Sequence, residues 1–151
     1  MIITRKLEFT VPGEPIGKGR PRFVRATGRT YTPERTASYE NLVRLMYCQA
    51  YPDRRVPIES AVEIIIRAFF RIPESWTKKK KAAALSGELL KTTKPDLDNI
   101  IKSVCDGLNG VAWTDDAQIH TINASKDYSA TPRVEVSIYY TEEKEEEKEN
   151  G

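Results

Sequence analysis

Apolar and polar residues alternate near both ends of the chain. Leu7, Phe9 and Val11 fall on one side of residues 2–11, with Glu8 and Thr10 on the other. Val134, Val136, Ile138 and Tyr140 alternate in the same way along residues 133–140. A period of two predicts strands with one buried face. Residues 118–127 (QIHTINASKD) predict a further strand, and 61–70 (AVEIIIRAFF), β-branched and aromatic, a central strand buried on both sides. Elsewhere the spacing is helical. Tyr39, Leu42, Val43, Met46 and Ala50 share one face of a helix that Thr32-Pro33-Glu34 starts and Tyr51-Pro52 ends. Leu97, Ile100, Ile101, Val104, Cys105 and Leu108 follow the helical series without a miss. Pro95 disfavours helical geometry at Lys94, so that helix begins close to Asp96, and Asn109-Gly110 ends it. A shorter helix is predicted over Ser75–Ser86, stopped by Gly87. The order β-α-β-α-α-β-β predicts an α+β fold: about four strands in a mixed sheet with helices packed against it.

The stretch between the first strand and first helix, PGEPIGKGRPRFVRATGRTYTP, has no apolar period and predicts a loop of about twenty residues, a length that hints at function. From Pro15 to Pro33 it carries Lys18, Arg20, Arg22, Arg25 and Arg29, no acid, and the aromatics Phe23 and Tyr31. Arginine forks suit phosphate, aromatics can wedge against bases, and glycines let the backbone come close to a ligand. The plainer reading is a solvated flexible loop. For the run Lys78-Lys79-Lys80-Lys81 the plainer reading is a solvated helix face, and the alternative is phosphate contact.

At 151 residues with 39% apolar and 30% charged residues, the chain has the size and composition of one globular domain. The net charge of +2 hides an asymmetry. Residues 141–151 carry six glutamates against two lysines, and without them 22 basic residues face 16 acidic ones. The division expected is a folded basic domain over 1–140 and an acidic, disordered tail over 141–151. A basic domain allows a polyanionic partner. No apolar run approaches the roughly 18 residues a membrane span needs, and the N-terminus has no secretion signal. Cys48 and Cys105 are expected as reduced, partly buried thiols of a cytoplasmic protein. CxxC spacing is absent and His120 is the single histidine, which disfavours structural zinc.

Residues 94–119 hold five aspartates: Asp96, Asp98, Asp106, Asp115 and Asp116. Each has an ordinary structural account. Asp96 and Asp98 suit a helix N-terminus. Lys102 lies one turn from both Asp98 and Asp106, and Asp115-Asp116 suit a turn. Together they point to a hard divalent cation, because carboxylates brought close repel one another unless a cation sits between them. Eight residues from Leu108 to Asp116 reach at most about 26 Å. The helix from Asp98 to Leu108 rises about 15 Å. The chain can therefore return Asp116 to Asp96 and Asp98. An EF-hand is excluded, since Ile100, Ile101 and Gly107 stand where its loop needs a polar ligand, glycine and glutamate. An acidic metal-type cluster beside a basic loop is what a phosphodiesterase needs, with Lys102 placed to support transition-state charge.

The stretch KPDLDNIIKSVCDGLNGVAWTDDAQI closely resembles the signature region of the RusA family, Holliday-junction resolvases commonly carried by phages and prophages. GKGRPRF at 17–23 resembles the branch with a basic N-terminal loop, and 76–90 reads as an insertion that compact members lack. The resemblance implies metal-binding aspartates at Asp96, Asp98 and Asp116, an essential lysine at Lys102 and a supporting acid at Asp115. For Asp106 an ion pair with Lys102 suffices. It further implies a homodimer that cuts four-way DNA junctions with Mg²⁺, Mn²⁺ substituting, and uses no small-molecule cofactor and no membrane. Two alternatives stay open: a non-catalytic branched-DNA-binding accessory protein, and a nuclease of the same fold acting on flaps or forks.

Overall fold

The computed structural model describes residues 1–19, 22–24, 26, 29–31 and 34–145, with backbone alone at 22–24 and 29–31. The strands are β1 (Ile2–Pro12), β2 (Arg22–Val24), β3 (Arg29–Tyr31), β4 (Val62–Arg71), β5 (Ile119–Ser129) and β6 (Arg133–Glu143). The helices are α1 (Glu34–Ala50), α2 (Lys78–Ser86) and α3 (Leu97–Leu108), and a single 3₁₀ turn spans Asp116–Gln118. Four strands form one sheet in the order β1-β6-β4-β5. β6 is antiparallel to both β1 and β4, whereas β5 runs parallel to β4. A parallel pair needs a crossover, and the segment carrying α2 and α3 supplies it. The fold is thus the α+β, mixed four-stranded arrangement that the patterning predicts.

Leu7, Phe9 and Val11 of β1, Val134, Val136 and Ile138 of β6, and Val62, Ile64, Ile66 and Phe70 of β4 form one core with the inner faces of α1 and α3. Ile100, Val104 and Leu108 of α3 are fully buried in it. Each such side chain contributes about 1.5–3 kcal/mol relative to exposure. Phe9 meets Tyr47 of α1 edge to face, with ring centroids 5.8 Å apart.

Five expectations are corrected. β4 is central but not buried on both sides: Glu63, Ile65, Arg67 and Phe69, on the side opposite the core, are half-exposed. β6 continues past residue 140, and Thr141–Glu143 pair with β1, so the acidic stretch begins inside the sheet. Residues 146–151 lie outside the described residues. Of the two thiols, Cys105 is buried and Cys48 exposed. The basic segment is not all loop, since β2 and β3 pair as a short hairpin. α2 begins at Lys78, with Thr77 accepting a hydrogen bond from the Lys80 N–H at 3.2 Å, and Gly87 ends it at φ +83°.

Candidate active site

α3 organises the acidic residues. Asp96 stands at its N-cap without making a side-chain capping bond, and its carboxylate pairs with Lys94 at 3.2 Å. Asp98 lies in the first turn, where the helix dipole favours an acid, and both carboxylates are exposed. Lys102 and Asp106 follow at one-turn intervals.

Beyond Leu108 the chain turns tightly. Gly110 adopts φ +79°, and its N–H donates to the Trp113 carbonyl at 2.8 Å. Trp113 is fully buried, and Ile58 grips the turn by accepting from the Thr114 N–H and donating to the Ala112 carbonyl. Gln118 donates to the carbonyls of Ile58 and Ser60 and accepts from the Asp115 N–H. The eight residues after Leu108 are thereby used in a compact turn instead of an extended return along the helix. Asp116 sits in a cleft of about 400 Å³ with Lys102, Cys105 and Asp106. Among the described residues no three His, Cys, Asp or Glu side chains are grouped to hold one ion. Along α3, Asp96 and Asp98 stand at its start and Asp106 about two turns on, where it shares the cleft with Asp116.

Asp116 is the most constrained of these groups. Its Oδ1 accepts a hydrogen bond from the Trp113 indole N–H at 2.8 Å. Burial raises its pKa above the ordinary carboxylate value, the Trp113 bond opposes the rise, and the charges of Asp106 and Asp115 add to it. Burial and the charges of Asp116 and Asp106 push the Cys105 thiol up to about 12. Asp115 is exposed and holds the turn through its backbone.

The root of the basic segment is fastened to this helix. The Lys18 N–H donates to the Asn99 carbonyl at 2.8 Å, and Ser103 donates to the Ile16 carbonyl at 2.7 Å. A Cβ at Gly17 would meet Pro95 at 3.0 Å and Asn99 at 3.2 Å, so glycine lets the segment lie close to the first turn of α3 without crowding it. The Lys18 ammonium bridges Glu40 at 2.6 Å and Asp106 at 2.9 Å. Burial works against its charge, but the hydrogen bonds to Glu40 and Asp106 outweigh that and leave its pKa raised. Asp106 therefore pairs with Lys18, not with Lys102, because Lys18 is brought to it by tertiary packing. Lys18, expected on DNA, here ties the loop to α1 and α3. Arg20 and Arg25 lie outside the described residues, and Arg22 and Arg29 belong to the β2–β3 hairpin.

The match to known proteins decides the family. Residues 12–139 match the model of the endodeoxyribonuclease RusA family. The chain belongs to the RusA family. It is also 38% identical over 136 residues to a Bacillus subtilis (strain 168) protein whose name is "Uncharacterized protein YqaN", covering 87% of this chain and 94% of that one. The RusA match spans the basic segment, α3 and the Trp113–Gln118 turn. Family membership makes the chain a nuclease in class, a hydrolase of DNA.

Sequence reading missed two supports of this site. One is the Trp113 indole as the donor that holds Asp116; the spacing Trp-x-x-Asp is its only local trace, since a buried indole N–H needs an acceptor. The other is the Lys18 bridge, whose partners Glu40 and Asp106 stand far along the chain and leave no local signal.

Proposed function

We propose that this RusA-family chain is a Mg²⁺-dependent, structure-selective endodeoxyribonuclease, with Mn²⁺ substituting, that resolves four-way DNA junctions in recombination and repair and acts as a homodimer. The observation that carries the reading is Asp116: a half-buried carboxylate, held by a buried indole, with a second carboxylate and Lys102 in the same cleft. Such a group is uncomfortable as an anion until positive charge arrives. The donors fit a hard divalent cation in kind, all being carboxylate oxygens. Asp96, Asp98 and Asp116 are the residues assigned to hold it, with Asp115 in support. When bound, the ion would lower the pKa of a water and stabilise the leaving oxygen. Lys102, exposed on the cleft, meets the negative charge that gathers on the phosphate. Arg20, Arg22, Arg25 and Arg29 hold the DNA backbone, while Lys18 anchors the loop that carries them.

Asp96→Asn and Asp116→Asn are each expected to slow cleavage of a labelled four-way junction on the order of 10²-fold or more while leaving junction binding intact. Binding abolished together with cleavage would assign those carboxylates to folding instead. That no three potential ligands are grouped among the described residues favours the second reading, a non-catalytic branched-DNA-binding protein. That reading requires a gel shift indifferent to EDTA and no nicked product with Mg²⁺ or Mn²⁺.

A further inference from the structure

The segment before α3 forms a strip of lysines and aromatic rings that the cleft does not use. Lys80 lies 4.0 Å over the Trp76 ring. Trp76 meets Tyr128 of β5 edge to face, centroids 5.3 Å apart. Lys91 lies 4.9 Å over Phe70 and 5.9 Å over Tyr128. Lys126, two residues before Tyr128, donates to the carbonyls of Thr93 at 2.8 Å and Pro95 at 3.0 Å. Pro95 adjoins Asp96. The strip therefore runs without a break from α2 across the edge of the sheet to the acids at the start of α3.

The charge on this strip is unbalanced. Among the described residues, none of Lys78, Lys79, Lys80, Lys81, Lys91 and Lys126 has a carboxylate partner within ion-pair distance. Burial, and then the neighbouring Lys126 ammonium, lower the pKa of Lys91. Glu14 offsets only part of this effect at Lys91, and like charges held together on rings without ion-pair partners cost stability that an anionic partner would offset. The rings fix where the ammoniums stand. Trp76 is already engaged by Lys80 and Tyr128, which leaves it poorly placed to stack on a base. The strip suits a regular array of phosphates better than a base or a single anion.

We propose that the strip from Lys80 through Lys91 to Lys126 is a track for the phosphodiester backbone of duplex DNA, leading one arm of the substrate to Asp96 and Asp98. It rests on the nuclease reading above and assigns a role to the segment that compact relatives would lack. The track reads charge and spacing, not sequence.

The test is junction affinity across a salt series in EDTA, by fluorescence anisotropy, for the wild type, for the triple variant Lys80→Gln/Lys91→Gln/Lys126→Gln, and for the same triple change to arginine. The glutamine triple is expected to bind about ten-fold or more weakly near 0.1 M salt, with a salt slope shallower by up to about 2.7, roughly 0.9 for each phosphate no longer neutralised. The arginine triple is expected to bind as the wild type does, which separates charge from folding. An unchanged slope and affinity in the glutamine triple, beside a wild type that binds and cuts the junction, overturns the track alone. A wild type that neither binds nor cuts branched DNA overturns the nuclease reading and the track with it.

Discussion

Asp116 carries a conflict that a single substitution resolves. Burial and two neighbouring carboxylates oppose its ionisation, and the Trp113 N–H favours it, with the balance leaving the pKa above the ordinary value of 3.8. A carboxyl whose folded pKa is raised binds its proton more tightly in the folded state. Its favourable contribution is fully present below the unfolded pKa and is lost as pH rises through the folded one. At neutral pH the ionised group therefore burdens the metal-free protein. Asp116→Asn is expected to raise the thermal midpoint in EDTA at pH 7, the gain shrinking to nothing below about pH 4. Mg²⁺ should stabilise the wild type and not the variant, since only a protein that binds the ion gains from it. A variant less stable than the wild type at pH 7 in EDTA would show that the indole–carboxylate bond outweighs the repulsion.

Among the elements, α1 and α3 touch through Gly107. A Cβ there would stand 2.8 Å from the Glu40 carbonyl oxygen and 3.0 Å from Val43 Cβ, both on α1. Backbone and a branched core residue cannot easily give way. Gly107→Ala is expected to destabilise the protein by about 1–3 kcal/mol. Chemical denaturation would read this as a lower midpoint at unchanged slope. A neutral result would mean that the helices move apart freely, and Lys18, which bridges Glu40 of α1 to Asp106 of α3, would then be the stronger tie. The same packing explains why the Lys102–Asp106 pair suggested by one-turn spacing does not form. Local spacing offers a partner on the same helix, but a cation delivered from a third element with less exposure takes the carboxylate.

For the molecule as a unit, paired cuts in a two-fold junction call for two equivalent sites, which a symmetric dimer supplies. β5 is an eleven-residue strand at one edge of the sheet, and Ile122 on it is 42% exposed beside the cleft. An open edge with an apolar residue is a natural place for another chain to pair. Sedimentation equilibrium is expected to give twice the chain mass of 17.2 kDa, and Ile122→Lys to shift the equilibrium toward monomer. A wild type sedimenting as a single chain at micromolar concentration would remove the homodimer from the proposal. No described helix is long and apolar enough to cross a membrane.

The elements and the family follow from local sequence. Period-two alternation in β1 and β6 and the unbroken helical series of α3 each write a buried face directly into neighbouring residues. The fold class and the helix carrying Asp98, Lys102 and Asp106 were therefore legible. So was the RusA signature, whose residues lie within one short stretch. Packing between distant parts of the chain governs the rest. It left one face of β4 half-exposed, which an apolar run cannot reveal, and it gave Asp106 to Lys18. It also gathered Lys80, Lys91 and Lys126 onto one strip. Above all it set where Asp116 stands. Chain length alone sets only how far Asp116 can reach, but the burial of Trp113 and the left-handed Gly110 draw the chain into a tight turn that leaves it in the cleft with Lys102 and Asp106. Reach is a property of the backbone, whereas position is set by which side chain gains most from burial.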